Sequence, residues 1–173
     1  MARKFQVQIA AMADTQSLSL LPRNGHSVPF VELRQSLPSK VAAISPFVDQ
    51  LMRFVLHFRS ADGSEIDIEM ALREALANAV IHGNGDGSCK SVYVTCRCYM
   101  DGEVSITVRD QGRGFDSNAV PDPTFLENLL FTHGRGIYVM KTLMDEVCFE
   151  EGGSVVRIRK NANFSATPQR RSE

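Results

Sequence analysis

A chain of 173 residues, 43% of them hydrophobic, has the length of one domain with tails and enough apolar material for a sizeable core. Its 19 basic and 20 acidic residues leave a net charge of −1, which argues against a protein held to nucleic acid by bulk charge. No apolar run approaches the length that spans a membrane. Gln6 and Gln8 interrupt the part-apolar stretch after the first cations, so a signal peptide is not expected.

The pattern along the chain divides it at about residues 28 and 160. Residues 1–27 form an extension of uncertain structure. Lys4 to Ile9 is a candidate strand, and Asn24-Gly25 is a turn signal. Val28 to Leu33 reads as a strand. Ser39 to Phe58 reads as largely helical, with Pro46 expected to bend or restart it and Ser45 as its cap. Asp62-Gly63-Ser64 is a turn, and Ser64 is positioned to cap the next helix, Glu65 to His82.

Val92, Val94, Cys96 and Cys98 then alternate as one face of a strand, and Val104, Ile106 and Val108 as one face of the next. A three-residue loop, Met100 to Gly102, sets Val104 opposite Cys98, Ile106 opposite Cys96 and Val108 opposite Val94. A two-residue turn would instead place Ile106 opposite Arg97. The first choice keeps one face apolar. By the same reasoning a turn at Gly152-Gly153 sets Phe149 opposite Val156 and Val147 opposite Ile158. A helix is expected over Ile137 to Leu143, and residues 161–173 form a solvated tail. The expected fold is α/β: a two-layer sandwich with a mostly antiparallel, mixed sheet and its helices on one face. None of the four cysteines has zinc-ligand spacing, and free thiols in a reducing cytoplasm are expected.

Three stretches carry chemistry. On the helix from Glu65, the residues Glu74, Asn78 and His82 line one face at i, i+4 and i+8, crowded by Ala71, Ala75, Ala77 and Ile81. The bland reading is an exposed polar stripe; the functional one is a pair of hard oxygen donors facing Mg²⁺. Asp110-Gln111-Gly112-Arg113-Gly114-Phe115 follows a strand directly. It reads either as an ordinary turn or as a carboxylate that accepts from an adenine amino group, with Gly112 and Gly114 admitting a flat base. His133-Gly134-Arg135-Gly136 opens an apolar helix. It is either a flexible entry or an anion site of exposed backbone N–H groups. No GxxxxGK[ST] occurs.

Taken in order, EALANAVIHGN (Glu74 to Asn84), DQGRGF (Asp110 to Phe115) and HGRGIYVMKTLMDEV (His133 to Val147) resemble the N, G1 and G2 boxes of the ATPase superfamily of gyrase, MutL and the histidine kinases. The resemblance spans about residues 28–160. It implies a Bergerat-type ATP-binding fold with a lid over about Asp116 to Thr132. It makes Glu74 the catalytic carboxylate and Asn78 the Mg²⁺ ligand. Asp110 and Gly112 read adenine, and Gly134 to Gly136 cradle phosphates, with Arg135 placed to neutralise their charge. Ser154 stands where relatives often carry a threonine near the adenine.

Within the superfamily the wording is most similar to the bacterial anti-sigma factor serine/threonine kinases. That family implies ATP and Mg²⁺ as cofactors and a sigma factor and an anti-anti-sigma protein as partners. It also implies a cytoplasmic setting and a homodimer, with no direct contact to nucleic acid or membrane. Two other readings compete: a nucleotide-gated regulator-binding protein without phosphotransfer, and an ATP hydrolase with another client. His57 in FVLHFRSAD lacks the acidic neighbour expected of a phospho-accepting histidine and reads as an ordinary core or surface residue.

Overall fold

The computed structural model describes residues 17–23, 26–58, 63–85, 89–114 and 135–162. Six strands form one sheet: β1 (Ser17–Arg23), β2 (His26–Pro38), β3 (Ser91–Tyr99), β4 (Val104–Arg109), β5 (Glu146–Glu150) and β6 (Val155–Lys160). Their spatial order is β1-β2-β3-β4-β6-β5, and every pairing is antiparallel. The expected mixed sheet is corrected here: among the described residues no strand pair is parallel. The physical reason is that β4 pairs with β6, which returns along it after α3 and β5, so no right-handed parallel crossover is needed.

Among the described residues three α-helices, α1 (Ile44–Phe58), α2 (Glu65–Ala77) and α3 (Arg135–Leu143), lie against the sheet. They share one core with the inward face of the sheet. Val48, Leu51 and Val55 of α1, Ile68, Leu72 and Leu76 of α2 and Met140 of α3 meet Leu33, Val92, Cys96, Ile106 and Ile158. Burying each such large aliphatic side chain contributes about 1.5–3 kcal/mol. On the opposite face Glu32 and Arg97, direct cross-strand partners, form a 2.6 Å ion pair. Beside them the Phe30 and Tyr99 rings lie 5.3 Å apart. Cross-strand pairs of these kinds hold the register of β2 against β3.

Both hairpin registers follow the alternation of the sequence. Cys98 pairs with Val104, Cys96 with Ile106 and Val94 with Val108. Gly102 (φ 87°) occupies the left-handed position of the loop. Phe149 pairs with Val156 and Val147 with Ile158. The ladder stops at Glu150 and Val155, and Glu151 (φ 50°), Gly152 (φ 64°) and Gly153 (φ 89°) turn the chain through the left-handed region between them. Cys96 and Cys98 stack in the core, where the hydrogen bond between them and burial push the Cys96 thiol well above its usual value.

Elsewhere the helix boundaries move. Pro46 does not bend α1, and it stands where the helical stretch restarts, a 3-10 turn at Val41–Ala43 giving way to α-helix at Ile44. It is the third residue of that helix, in the first turn, where a missing N–H costs no intrahelical bond. Ser45 is not the cap: it lies inside the helix, and its Oγ accepts from Arg73 Nη1 at 2.9 Å, tying α1 to α2. Ser64 stands at the N-cap of α2 without a side-chain capping bond. Strand β1 falls in the stretch left without a placed element and joins the sheet beside β2. The candidate strand Lys4 to Ile9 lies outside the described residues. His57 is exposed near the end of α1.

Candidate functional site

The helix that begins at Glu65 does not run regularly to His82. Regular α-helix ends at Ala77, and Asn78–Gly83 continue as a π turn, closed by the Asn84 N–H donating to the Ala79 carbonyl at 2.8 Å. Such wide turns cluster at functional sites because they re-aim side chains. Here Glu74 and Asn78 converge under α3. A Cβ built on Gly136 would lie 2.5 Å from Glu74 Oε2 and 3.5 Å from both amide atoms of Asn78. A side chain at Gly136 would thus displace the Glu74 carboxylate from its place while only touching the Asn78 amide. His82, the third member of the polar line, is exposed.

A cleft runs from Asn78 to the sheet. Ala75, Asn78, Ala79 and Gly83 form its helical side, Val108 and Asp110 its floor, and Phe149, Gly153 and Val156 its far side. One carboxylate and one amide therefore sit in an otherwise apolar slot, the composition of a site for a flat, mostly apolar ring with a polar edge. Asp110 leaves the end of β4, with its backbone N–H donating to the Ser154 carbonyl at 3.0 Å. Its Oδ1 accepts from the Gly112 N–H at 2.7 Å. Burial pushes the Asp110 carboxyl above its ordinary value, against the opposing pull of the Gly112 N–H and the Lys90 ammonium.

The glycines around Asp110 are packed against backbone. A Cβ on Gly112 would collide with the Gly83 carbonyl, and one on Gly114 (φ 72°) with the Gly152 carbonyl. A Cβ on Gly83 would strike the Asp110 carboxyl itself. Ser154 contributes its backbone to Asp110, while its hydroxyl donates back into its own turn, to the Glu151 carbonyl at 2.9 Å. Arg135 is the exposed first residue of α3. Gly134 and the expected lid lie outside the described residues. The structure thus joins Asn78 and Asp110 in one cleft, with Glu74 beside Asn78 under Gly136.

Sequence reasoning did not single out Gly83 or Asn84 as site residues. The signal was the dipeptide itself, a glycine and an asparagine ending a helix just before a strand, but it reads equally well as a generic helix stop.

A slot between an antiparallel sheet and a helix layer, floored by one aspartate and bordered by close-packed glycines, is the arrangement of a nucleotide-binding ATPase domain. Residues 37–160 match the histidine kinase-like ATPase domain. An anti-sigma F factor from Clostridium botulinum (strain Eklund 17B / Type B) is 32% identical over 150 residues, covering 82% of this chain and 96% of that protein. The anti-sigma F factor of Heyndrickxia coagulans is 28% identical over 166 residues, 93% of this chain and 94% of its own. That of Bacillus subtilis (strain 168) is 28% identical over 137 residues, 76% and 84%. The chain belongs to the anti-sigma factor kinase family within the histidine kinase-like ATPase superfamily. ATP binding comes with that domain. Among the described residues no helix is long and apolar enough to cross a membrane.

Proposed function

We propose that this protein is a cytoplasmic, Mg²⁺-dependent protein serine/threonine kinase that also acts as an anti-sigma factor. It holds a sigma factor and phosphorylates a serine of an anti-anti-sigma protein, and it works as a homodimer. The single observation that carries this reading is the convergence of Glu74 and Asn78 beneath Gly136 at one end of the cleft whose other end is Asp110. A base on Asp110 directs a phosphate chain toward that convergence, where a carboxylate stands ready for a hydroxyl.

The residues fit a magnesium ion of the kind that travels with a nucleotide. Mg²⁺ prefers few protein ligands and completes its octahedron with phosphate oxygens and water. Asn78 would hold it through its amide oxygen, and the ion when bound would neutralise phosphate charge. Arg135 and the backbone at Gly134 to Gly136 supply the remaining positive field at the start of α3. Glu74 orients and deprotonates the attacking serine hydroxyl.

The test is transfer of the γ-phosphate from ATP to a serine of the cognate anti-anti-sigma protein. Transfer to that serine supports the kinase. Binding of the sigma factor without transfer leaves a nucleotide-gated binder, and turnover without any partner leaves an ATP hydrolase.

Two variants divide the site. Asn78→Ala weakens ATP binding in Mg²⁺ and leaves binding in excess EDTA unchanged. An equal loss in both, measured by calorimetry, rejects Asn78 as the metal ligand. Asp110→Asn loses the charged acceptor for the adenine amino group, worth about 1.5–3 kcal/mol, and weakens ATP at least about tenfold. Its fold is not harmed. The folded-state pKa of Asp110 is raised, so its ionisation above that value costs stability, a cost absent at acid pH below the unfolded-state value. Asp110→Asn therefore melts at or above the parent's temperature at pH 7, and the gain disappears toward pH 3. A lower melting point at pH 7, or unchanged ATP affinity, contradicts the assignment.

A further inference from the structure

We propose that Asn84 is a positioning residue for base recognition: its side-chain amide fixes the Asp110–Gly112 turn against the end of the π turn and thereby sets the discrimination between adenine and other purines. The proposal rests on the reading of Asp110 as the adenine acceptor. Asn84 is only 4% exposed and does not line the cleft, so it acts through other residues.

Every polar group of Asn84 is used. Its N–H closes the π turn on Ala79 at 2.8 Å, and its carbonyl accepts from Lys90 Nζ at 3.3 Å. Nδ2 donates to the Ser91 carbonyl at 3.2 Å, and Oδ1 accepts from the Gln111 N–H at 2.8 Å. Gln111 closes the ring, its Oε1 accepting from the Ser91 N–H at 2.8 Å. Both backbone groups of Ser91, the first residue of β3, are thus held by two side-chain amides, and that of Asn84 also accepts from the backbone N–H of Gln111. The three anchored segments are the end of the helix that carries Asn78, the start of β3, and the turn that carries Asp110.

The consequence for Asp110 is geometric. The N–H that Asn84 holds belongs to Gln111, and the next N–H, of Gly112, holds Asp110 Oδ1. Asn84 therefore orients the peptide that precedes the donor to Asp110. A Cβ on Gly112 would fall on the Gly83 carbonyl and one on Gly83 on the Asp110 carboxyl, so the turn and the helix end lie in direct contact beside this bond. Without the Oδ1 acceptor a water can satisfy the Gln111 N–H, but a water does not fix the turn.

The test compares ATP with inosine triphosphate, whose 6-oxo group cannot donate to Asp110, in calorimetric titrations of the full chain. The parent chain favours ATP. In Asn84→Ala, ATP affinity falls about tenfold while inosine triphosphate changes by less than about twofold, so the preference collapses. Asn84→Asp keeps the acceptor for Gln111 and keeps the preference to within about threefold. In an Asp110→Asn background, Asn84→Ala costs less than about a further twofold, because residues acting through one group are not additive. Should Asn84→Ala fail to fold, Asn84→Ser, whose hydroxyl cannot reach both partners, takes its place under the same expectations. Equal loss of both nucleotides, loss of preference in Asn84→Asp, or full additivity with Asp110→Asn overturns the proposal. The adenine reading fails separately, when Asp110→Asn alone leaves ATP affinity intact, and the proposal then falls with it.

Discussion

Glu74→Gln binds ATP as tightly as the parent chain and transfers phosphate roughly 10²–10⁴-fold more slowly, the range in which a positioned general base acts. The expectation follows from where Glu74 sits. It lies one turn before Asn78 and directly beneath Gly136 of α3. A carboxylate in that place repels phosphate oxygens, so it adds nothing to nucleotide affinity and its removal raises affinity slightly if it changes it at all. Glutamine has the same size, so the contact with Gly136 survives and the melting temperature stays within about 1 °C of the parent, as for a substitution that leaves packing intact. Capture of the sigma factor is unaffected. A single-turnover transfer assay beside a nucleotide titration separates these terms. Transfer at the parent rate removes Glu74 from the chemistry, and loss of ATP affinity in step with rate makes it a binding residue instead.

Gly112→Ala abolishes useful ATP binding, with a loss of about 100-fold or more. The new Cβ falls on the Gly83 carbonyl, which is backbone and cannot rotate away. Either the Asp110 turn or the end of the π turn must retreat, and a displacement near 1 Å at a positioning element costs about 10²-fold. The same overpacking lowers stability by about 1–3 kcal/mol. Gly63→Ala is the control. Gly63 has φ 85° but nothing within 4 Å of its Cβ position. It carries a left-handed strain of about 1–2 kcal/mol and leaves ATP affinity untouched. Equal nucleotide affinities in Gly112→Ala and the parent would show that the turn can yield without disturbing Asp110.

The parts of the fold legible in the sequence were those in which alternation and glycine agree. Val92 to Cys98 and Val104 to Val108 admit one pairing that keeps the apolar face whole, and Gly102 and Gly152-Gly153 supply the positive φ that those turns need. Strand β1 was equally available in principle. Arg23 pairs with His26, and the sequence between those positions, Asn-Gly, is the dipeptide that most strongly signals a hairpin. Pro22 and the short, serine-broken apolar pattern hid the strand before it. Proline at position 46 marks the restart of the helical stretch but not its start, which lies in the 3-10 turn at Val41–Ala43.

The site divides in the same manner. Asp110 and Asn78 carry chemistry in their own side chains and could be nominated from type and spacing. Gly83 and Asn84 take their roles from residues distant in sequence, as in the bond from Gln111 to Asn84, which spans 27 positions. Local reading cannot distinguish a glycine that ends a helix from one that makes room for a carboxylate.

The pairing of β4 with β6 has a consequence for how the chain acquires its ligand. Val108 and Val156 are cross-strand partners, and both line the cleft. The β3–β4 and β5–β6 hairpins join near neighbours in sequence, whereas β4 and β6 meet only after the chain has closed a long excursion, the slow kind of contact in folding. The nucleotide slot therefore does not exist in either half alone; it requires the pairing of β4 with β6. ATP then acts on the folding equilibrium by mass action, drawing the chain into the joined state by about 2.7 kcal/mol at a hundred times its dissociation constant. Bound ATP therefore adds to the stability of the folded chain, and removing it withdraws that contribution.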